Sequence, residues 1–318
     1  MASGTLAPLG ALGAELAASG AYAARAQREG PLEALHVVSP AQALVAVVTR
    51  LPGSGRPIVT TYESWRSPAF LQELGEAIIA LAEAIPGGIL CFLPSYAALE
   101  ACITAWQGTA ASPAQVWPRL ASAKGAVVVE PRGSEALPKA CASYVAAVQS
   151  GRGALCFAVY RGKMSEGLSF NDDLCRGVVC VGVPYPQSMD PVVVAKRRWN
   201  DARRPRGPTG VMLSGNDWYE LQAYRAVNQA LGRCLRHRLD YGVLVLLDAR
   251  WAAHGQHARG LRRHLARWLR PFIEEWPRGA SQAFDPGPAA SAWHGLTGRL
   301  RALFAQAPLA VEAQRVAA

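Results

Sequence analysis

Charge is scarce in this sequence. Asp, Glu, Lys and Arg make up 18% of the 318 residues, and acids are the scarcer kind, 23 against 33 basic residues. With 51% hydrophobic residues, there is ample material for one large core, or one domain with appendages. The balance of +10 suits a polyanionic partner such as nucleic acid, or an anionic surface. Among seven cysteines (91, 102, 141, 156, 175, 180 and 234) no Cys-x-x-Cys pair occurs, so zinc and iron–sulfur spacings are excluded. Cys91, Cys156 and Cys180 lie in apolar runs and read as buried thiols of a reducing compartment. No basic stretch precedes an apolar core at the N-terminus, so no secretory signal is expected. No run of 18 apolar residues escapes a charge or proline. These absences lead us to expect a soluble intracellular protein with no membrane partner. There is no internal repeat.

What is present is a regular alternation. Residues 44–48, 88–93, 126–129, 154–159, 178–183 and 243–247 are short, unbroken apolar runs. Helical segments separate most of them, among them 70–84, where Phe70, Leu74, Ile78 and Leu81 recur at the helical period. Strands without polar alternation, spaced by helices, predict an α/β fold with a parallel sheet covered on both faces. A helix is also expected at 11–27, a turn at 52–57 and a basic loop at 196–207. An amphipathic helix is expected at 259–270, a linker at 277–288 and a last helix at 292–305.

In open parallel sheets, ligands bind beyond the carboxyl ends of the strands. The polar residues of this chain fall there: Ser95 and Tyr96, Glu130 and Arg132, Arg161-Gly162-Lys163 with Glu166 and Gly167, Tyr185, Asp248 and Arg250. Gly162 allows close backbone approach and Lys163 adds a point charge, so the tripeptide suits a phosphate. Alone it reads as a solvated basic loop; its place after a buried strand favours contact. Tyr96 and Tyr185 either stack on bases, at about 1–3 kcal/mol each, or serve as half-buried rim aromatics.

The segment Gln229-Ala-Leu-Gly232-Arg233-Cys-Leu-Arg236 stands out most. Read as the end of a helix capped by Asn216 or Asp217, it sets two arginines on one face. Arg225, Arg233, Arg236 and Arg238 meet no acid between residues 221 and 239, and a like-charged face calls for an anion. Guanidinium groups fork onto phosphate oxygens, and an arginine finger accelerates phosphoryl transfer about 10³–10⁵-fold.

Six stretches carry a resemblance: SGTLAPL (3–9), ILCFLPSYAALE (89–100), VVVEPRG (127–133), AVYRGKMSEGLSF (158–170), GVPYPQSMDP (182–191) and DWYELQAYRAVNQALGRCLRHRLDYG (217–242). In this order they resemble the second RecA-like motor domain of the XPD-type, iron–sulfur superfamily 2 DNA helicases. The resemblance implies a lead-in segment at 1–65, a RecA-like domain at 66–275 carrying helicase motifs IV, V and VI, and a linker with a C-terminal helix at 276–318. It implies nucleic-acid contacts at Ser95, Tyr96, Arg161, Gly162, Lys163 and Tyr185, and nucleotide contacts at Glu166, Gly167, Gln229 and Gly232. Arg233 and Arg236 would face ATP and Mg²⁺ held by a first RecA-like domain, in cis or in trans. The partner would be single-stranded and forked DNA, the activity 5′-to-3′ unwinding in genome maintenance, and the location the nucleus.

Two departures qualify this. Ser169 stands where the family's motif V carries aspartate. The chain also starts inside the family pattern, with no Gly-x-x-x-x-Gly-Lys-Ser/Thr loop, no acidic metal box and no ligands for the family's 4Fe-4S cluster. The expectation is the C-terminal motor half of a helicase, inactive alone; the alternative is a degenerate module that binds nucleic acid or a partner.

Overall fold

Apolar runs with no polar break bury both faces, which requires a sheet covered on each side. The computed structural model of the protein, which describes residues 37–109, 112–113, 115–164, 170–204, 213–277 and 286–316, builds that sheet. Its strands are β1 (Ala43–Val48), β2 (Gly88–Leu93), β5 (Ala126–Val129), β6 (Ala154–Val159), β7 (Gly177–Val181), β8 (Gly242–Leu247) and β9 (Ile273–Trp276). The order is β5-β6-β2-β7-β8-β1-β9, and every neighbouring pair is parallel. A separate hairpin joins β3 (Gly108–Thr109) to β4 (Ser112–Pro113). The expected α/β sheet with helices on both faces is the architecture found.

Alternate residues of each strand serve opposite cores. Val45 and Val47 of β1 join α4 (Leu137–Gln149) and α6 (Gly215–Leu231) through Tyr144, Tyr224 and Val227. Leu44, Ala46 and Val48 join α1 (Pro68–Ala84), α2 (Tyr96–Gln107), α3 (Val116–Ala123) and the C-terminal α7 (Pro286–Val316). Each fully buried aliphatic side chain contributes about 1.5–3 kcal/mol. β1 lies upstream of residue 65, yet it pairs with both β8 and β9 inside the sheet.

Four expectations are corrected. The basic segment expected as a loop at 196–207 is helical through Arg203, in α5 (Pro191–Arg203). Asp190 caps that helix by accepting from Val192 N at 2.8 Å and Val193 N at 3.1 Å, and Pro191 is preset for its first turn. The amphipathic helix expected at 259–270 is instead two short 3₁₀ turns, Leu261–His264 and Arg267–Phe272. Its apolar residues are buried as expected, but Asn228 takes its backbone: Nδ2 donates to His264 O, and Oδ1 accepts from Ala266 N. Ser214, not Asn216 or Asp217, caps α6; Asp217 completes a capping box. Finally, α6 ends at Leu231, so Arg233 and Arg236 do not share a helix face. The helix expected at 11–27, Glu166, Gly167 and Ser169 lie outside the described residues.

Candidate functional site

At the carboxyl edge of the sheet, one carboxylate organises the predicted residues. Glu130 follows β5 and is buried, 3% exposed. Its Oε2 accepts from Val159 N at 2.9 Å, and its Oε1 accepts from Met164 N at 3.2 Å and from the Tyr96 hydroxyl at 3.3 Å. The turn after β6 is thereby wrapped around a charge. Arg161 takes φ 61° in that turn, and a Cβ on Gly162 would lie 2.3 Å from Glu130 Oε1. Gly162 is therefore dictated by close approach to a carboxylate. Burial and the Glu130 charge raise the Tyr96 pKa, which keeps the phenol a donor.

This arrangement gathers Tyr96, Arg161, Gly162 and Lys163 on adjacent strand ends. Lys163 Nζ donates to Arg132 O at 3.0 Å, and Arg161 reaches Gln222 O of α6. Arg132 pairs with Glu100 and lies over the Tyr96 ring, 5.1 Å from its centroid. Ser95 stands at the same edge, where its hydroxyl caps α2 by accepting from Ala98 N at 3.2 Å. Tyr185, after β7, stacks on Tyr219 of α6 with centroids 5.8 Å apart. It is half-buried, and Tyr219 covers one face of its ring. Asp248, fully buried after β8, accepts from Arg250 Nε at 2.7 Å and Thr60 Oγ1 at 3.0 Å. Thr60 was not legible as part of this edge, because a lone threonine in a loop carries no periodic or motif signal.

The other set lies at the opposite edge. Gly232, Arg233 and Arg236 occupy the turn between α6 and the start of β8, with Gln229 in the last turn of α6. Gly232 N donates to Asn228 O at 2.9 Å and Arg233 N to Ala230 O at 3.1 Å, which tightens the helix end. Cys234 and Leu235 then turn into the core, Leu235 at φ 61°. Buried Asp240 holds the turn, accepting from Arg236 N at 3.0 Å and from Arg176 Nη1 at 2.8 Å. Gln42 Nε2 donates to Arg238 O and Asp240 O, tying the turn to the start of β1. Arg236 is left exposed and Arg233 half-buried. A six-residue strand such as β8 spans roughly 20 Å. The structure therefore brings the predicted nucleic-acid residues together and sets the two arginines a strand length away.

The profile of the helicase C-terminal domain matches residues 78–272, which takes in both edges. The chain belongs to the helicase C-terminal domain family. Among curated members, the regulator of telomere elongation helicase 1 homolog of Drosophila ananassae is 37% identical over 278 residues, 87% of this chain and 26% of that protein. The Drosophila grimshawi homolog is 37% identical over 286 residues, 90% of this chain and 27% of that protein. This helicase domain thus spans about a quarter of the length of those relatives. Two solved structures align with it at a TM-score of 0.44. An XPD apo structure, 19% identical, covers 66% of this chain and 36% of the other, and S. tokodaii Xpd4, 16% identical, covers 74% and 38%.

The side chains present suit part of what the family uses. Guanidinium groups at 233 and 236 suit a triphosphate. The carboxylate at that turn does not suit Mg²⁺, because both Asp240 oxygens already accept from Arg176, Arg236 N and Tyr241 N. Asp240 forms a loose group with Asp172 and His237, and the latter two pair at 3.1 Å. All seven cysteines are free and buried. Among the described residues, no helix is long and apolar enough to cross a membrane.

Proposed function

We propose that these residues form the second motor domain of an ATP-dependent 5′-to-3′ DNA helicase of nuclear genome maintenance. A lead-in segment at 1–65, the motor domain proper at 66–275 and a C-terminal linker and helix at 276–318 make up the unit. The observation that carries the reading is the anchored turn after α6. Asp240, Gln42 and the end of α6 hold its backbone, and Arg236 stays exposed to meet a γ-phosphate. Arg233 and Arg236 supply positive charge to ATP seated with Mg²⁺ on a first RecA-like domain, in cis or in trans; Gln229 and Gly232 set their position. Glu166 and Gly167 are proposed as further nucleotide contacts. Ser95, Tyr96, Arg161, Gly162, Lys163 and Tyr185 take the single strand or the arm of a fork.

These 318 residues contain no phosphate-binding loop and no acidic metal box, so alone they are expected to hydrolyse no ATP. The test is ATPase with and without single-stranded DNA; turnover that Arg233→Ala abolishes would overturn the expectation. A second reading, a module that binds DNA without turnover, draws on Ser169 in place of the motif V aspartate. A phosphate-binding loop and four clustered cysteines in frame upstream of Met1 would sink that second reading.

A further inference from the structure

Helix α5 rests on very little. Of its 13 residues only Asn200 is buried. The side toward α6 is engaged: Arg197 lies over the Tyr219 ring at 5.1 Å, and Asp201 accepts from Gly215 N at 2.7 Å. The other side carries Val192, Lys196, Trp199 and Arg203, spaced as one stripe of a helix. Val192 is 75% exposed, Trp199 40%, and Met189, just before the helix, 80%.

Trp199 has a cation at each end of its stripe. Lys196 Nζ lies 4.9 Å from its ring centroid and Arg203 Cζ 4.4 Å. The two cations are seven residues apart, about 10 Å along the axis. No described ion pair joins either acid of the segment, Asp190 or Asp201, to these cations; the two carboxylates accept from the Val192, Val193 and Gly215 amides. Among the described ion pairs, none involves Lys196, Arg198, Arg203 or Arg204. The two cation–π contacts give this exposed indole about 0.5–1 kcal/mol each, and a solvated helix needs neither an indole nor the cations to stay in water. An aromatic face between two unneutralised cations matches one chemistry closely: a base that stacks and phosphates on either side of it. Three exposed apolar side chains are too few to seat an amphipathic partner helix or to enter a bilayer.

We propose that the stripe Val192–Lys196–Trp199–Arg203 is a second binding site for a single nucleic-acid strand, separate from the carboxyl-edge residues. Trp199 stacks on a base, and Lys196 and Arg203 hold the phosphates beside it. This rests on the reading of the domain as DNA-binding and adds a contact on the outer face of α5, where the strand runs on beyond the sheet edge.

The experiment uses the full chain and fluorescein-labelled (dT)20, with anisotropy titrations between 50 and 200 mM salt. Trp199→Ala is expected to weaken binding roughly fivefold or more, and Trp199→Phe to restore most of it. Lys196→Ala with Arg203→Ala is expected to lower the slope of log K against log salt by about 1.4. Unchanged circular dichroism and thermal midpoints check that the exposed substitutions leave the fold intact. Lys163→Ala separates the two readings. If Lys163→Ala weakens binding while the α5 variants match the wild type in affinity and slope, the second site is wrong and the domain still binds DNA. If the wild type does not bind (dT)20, both fail. If the α5 variants instead lose only binding to an acidic peptide or to anionic vesicles, the surface serves another partner and the proposal is overturned.

Discussion

Glu130 and Gly162 constrain each other. A buried carboxylate with two amide donors and a phenol leaves no room for a Cβ at 162, and that Cβ would meet two carboxylate oxygens at 2.3 and 2.6 Å. Gly162→Ala is expected to cost about 1–3 kcal/mol from overpacking. Glu130→Ala strands two buried amides, at about 1–3 kcal/mol each. Because the second change removes the atoms with which the first collides, the double variant should be more stable than the sum of the two predicts. Urea denaturation of the four proteins checks this; strict additivity would show that the two residues do not share the contact. Ser95 shows the limit of reading single residues. Its place beyond a strand marks it as a ligand contact, and the same hydroxyl also caps α2 by accepting from Ala98 N, which leaves its O–H to donate elsewhere.

At the scale of elements, the turn between α6 and β8 depends on one ion pair. Arg176 is 6% exposed in its side chain and Asp240 2%, and the Arg176 guanidinium also covers the Tyr241 ring at 3.7 Å. Arg176→Ala leaves Asp240 buried and uncompensated, and is expected to cost about 3–5 kcal/mol. Ser214→Ala, which removes the α6 cap, is expected to cost about 1 kcal/mol. Guanidinium unfolding of both variants tests the ranking; equal losses would mean that the pair does not hold the turn. Elements also mark where the sequence was legible. The apolar runs became strands almost residue for residue, since a run buried on both faces has one stable use. β9 was missed because Ile-Glu-Glu-Trp does not read as apolar. Its glutamates pair with residues distant in sequence, Glu274 with Arg299 of α7 and Glu275 with Arg262. α5 was missed because five cations in nine residues resemble a solvated loop, while the cap that starts the helix comes from Asp190.

Across the whole molecule, stability is expected to depend on pH through the seam between α6 and the 3₁₀ turns. His264 stacks on Tyr224 with ring centroids 4.3 Å apart, and Arg263 Nε donates to its Nε2 at 3.1 Å, which needs that nitrogen unprotonated. Burial, then Arg263 and Arg270, push its pKa down from 6.5 to about 4. Between those values the unfolded chain binds the proton and the folded chain does not. Stability from this group is therefore complete above about pH 6.5 and is lost as pH falls toward 4. His264→Phe keeps the stack without the proton, and is expected to flatten the fall of the thermal midpoint between pH 6.5 and 4. A slope equal to that of the wild type would show that His264 protonates freely in the fold.

The alternation of strands and helices and the family motifs follow from local properties: hydrophobic period and residue type. They were readable without coordinates because each depends on neighbours in sequence. The end of α6 at Leu231 and the separation of Arg233 and Arg236 from Lys163 were not readable in that way. They follow from contacts between residues far apart in the chain: Asp240 with Arg176, Gln42 with the turn before β8, Asn228 with the segment at 264–266. Burial makes such pairings decisive, since a polar group removed from water must find its partner wherever the fold brings one.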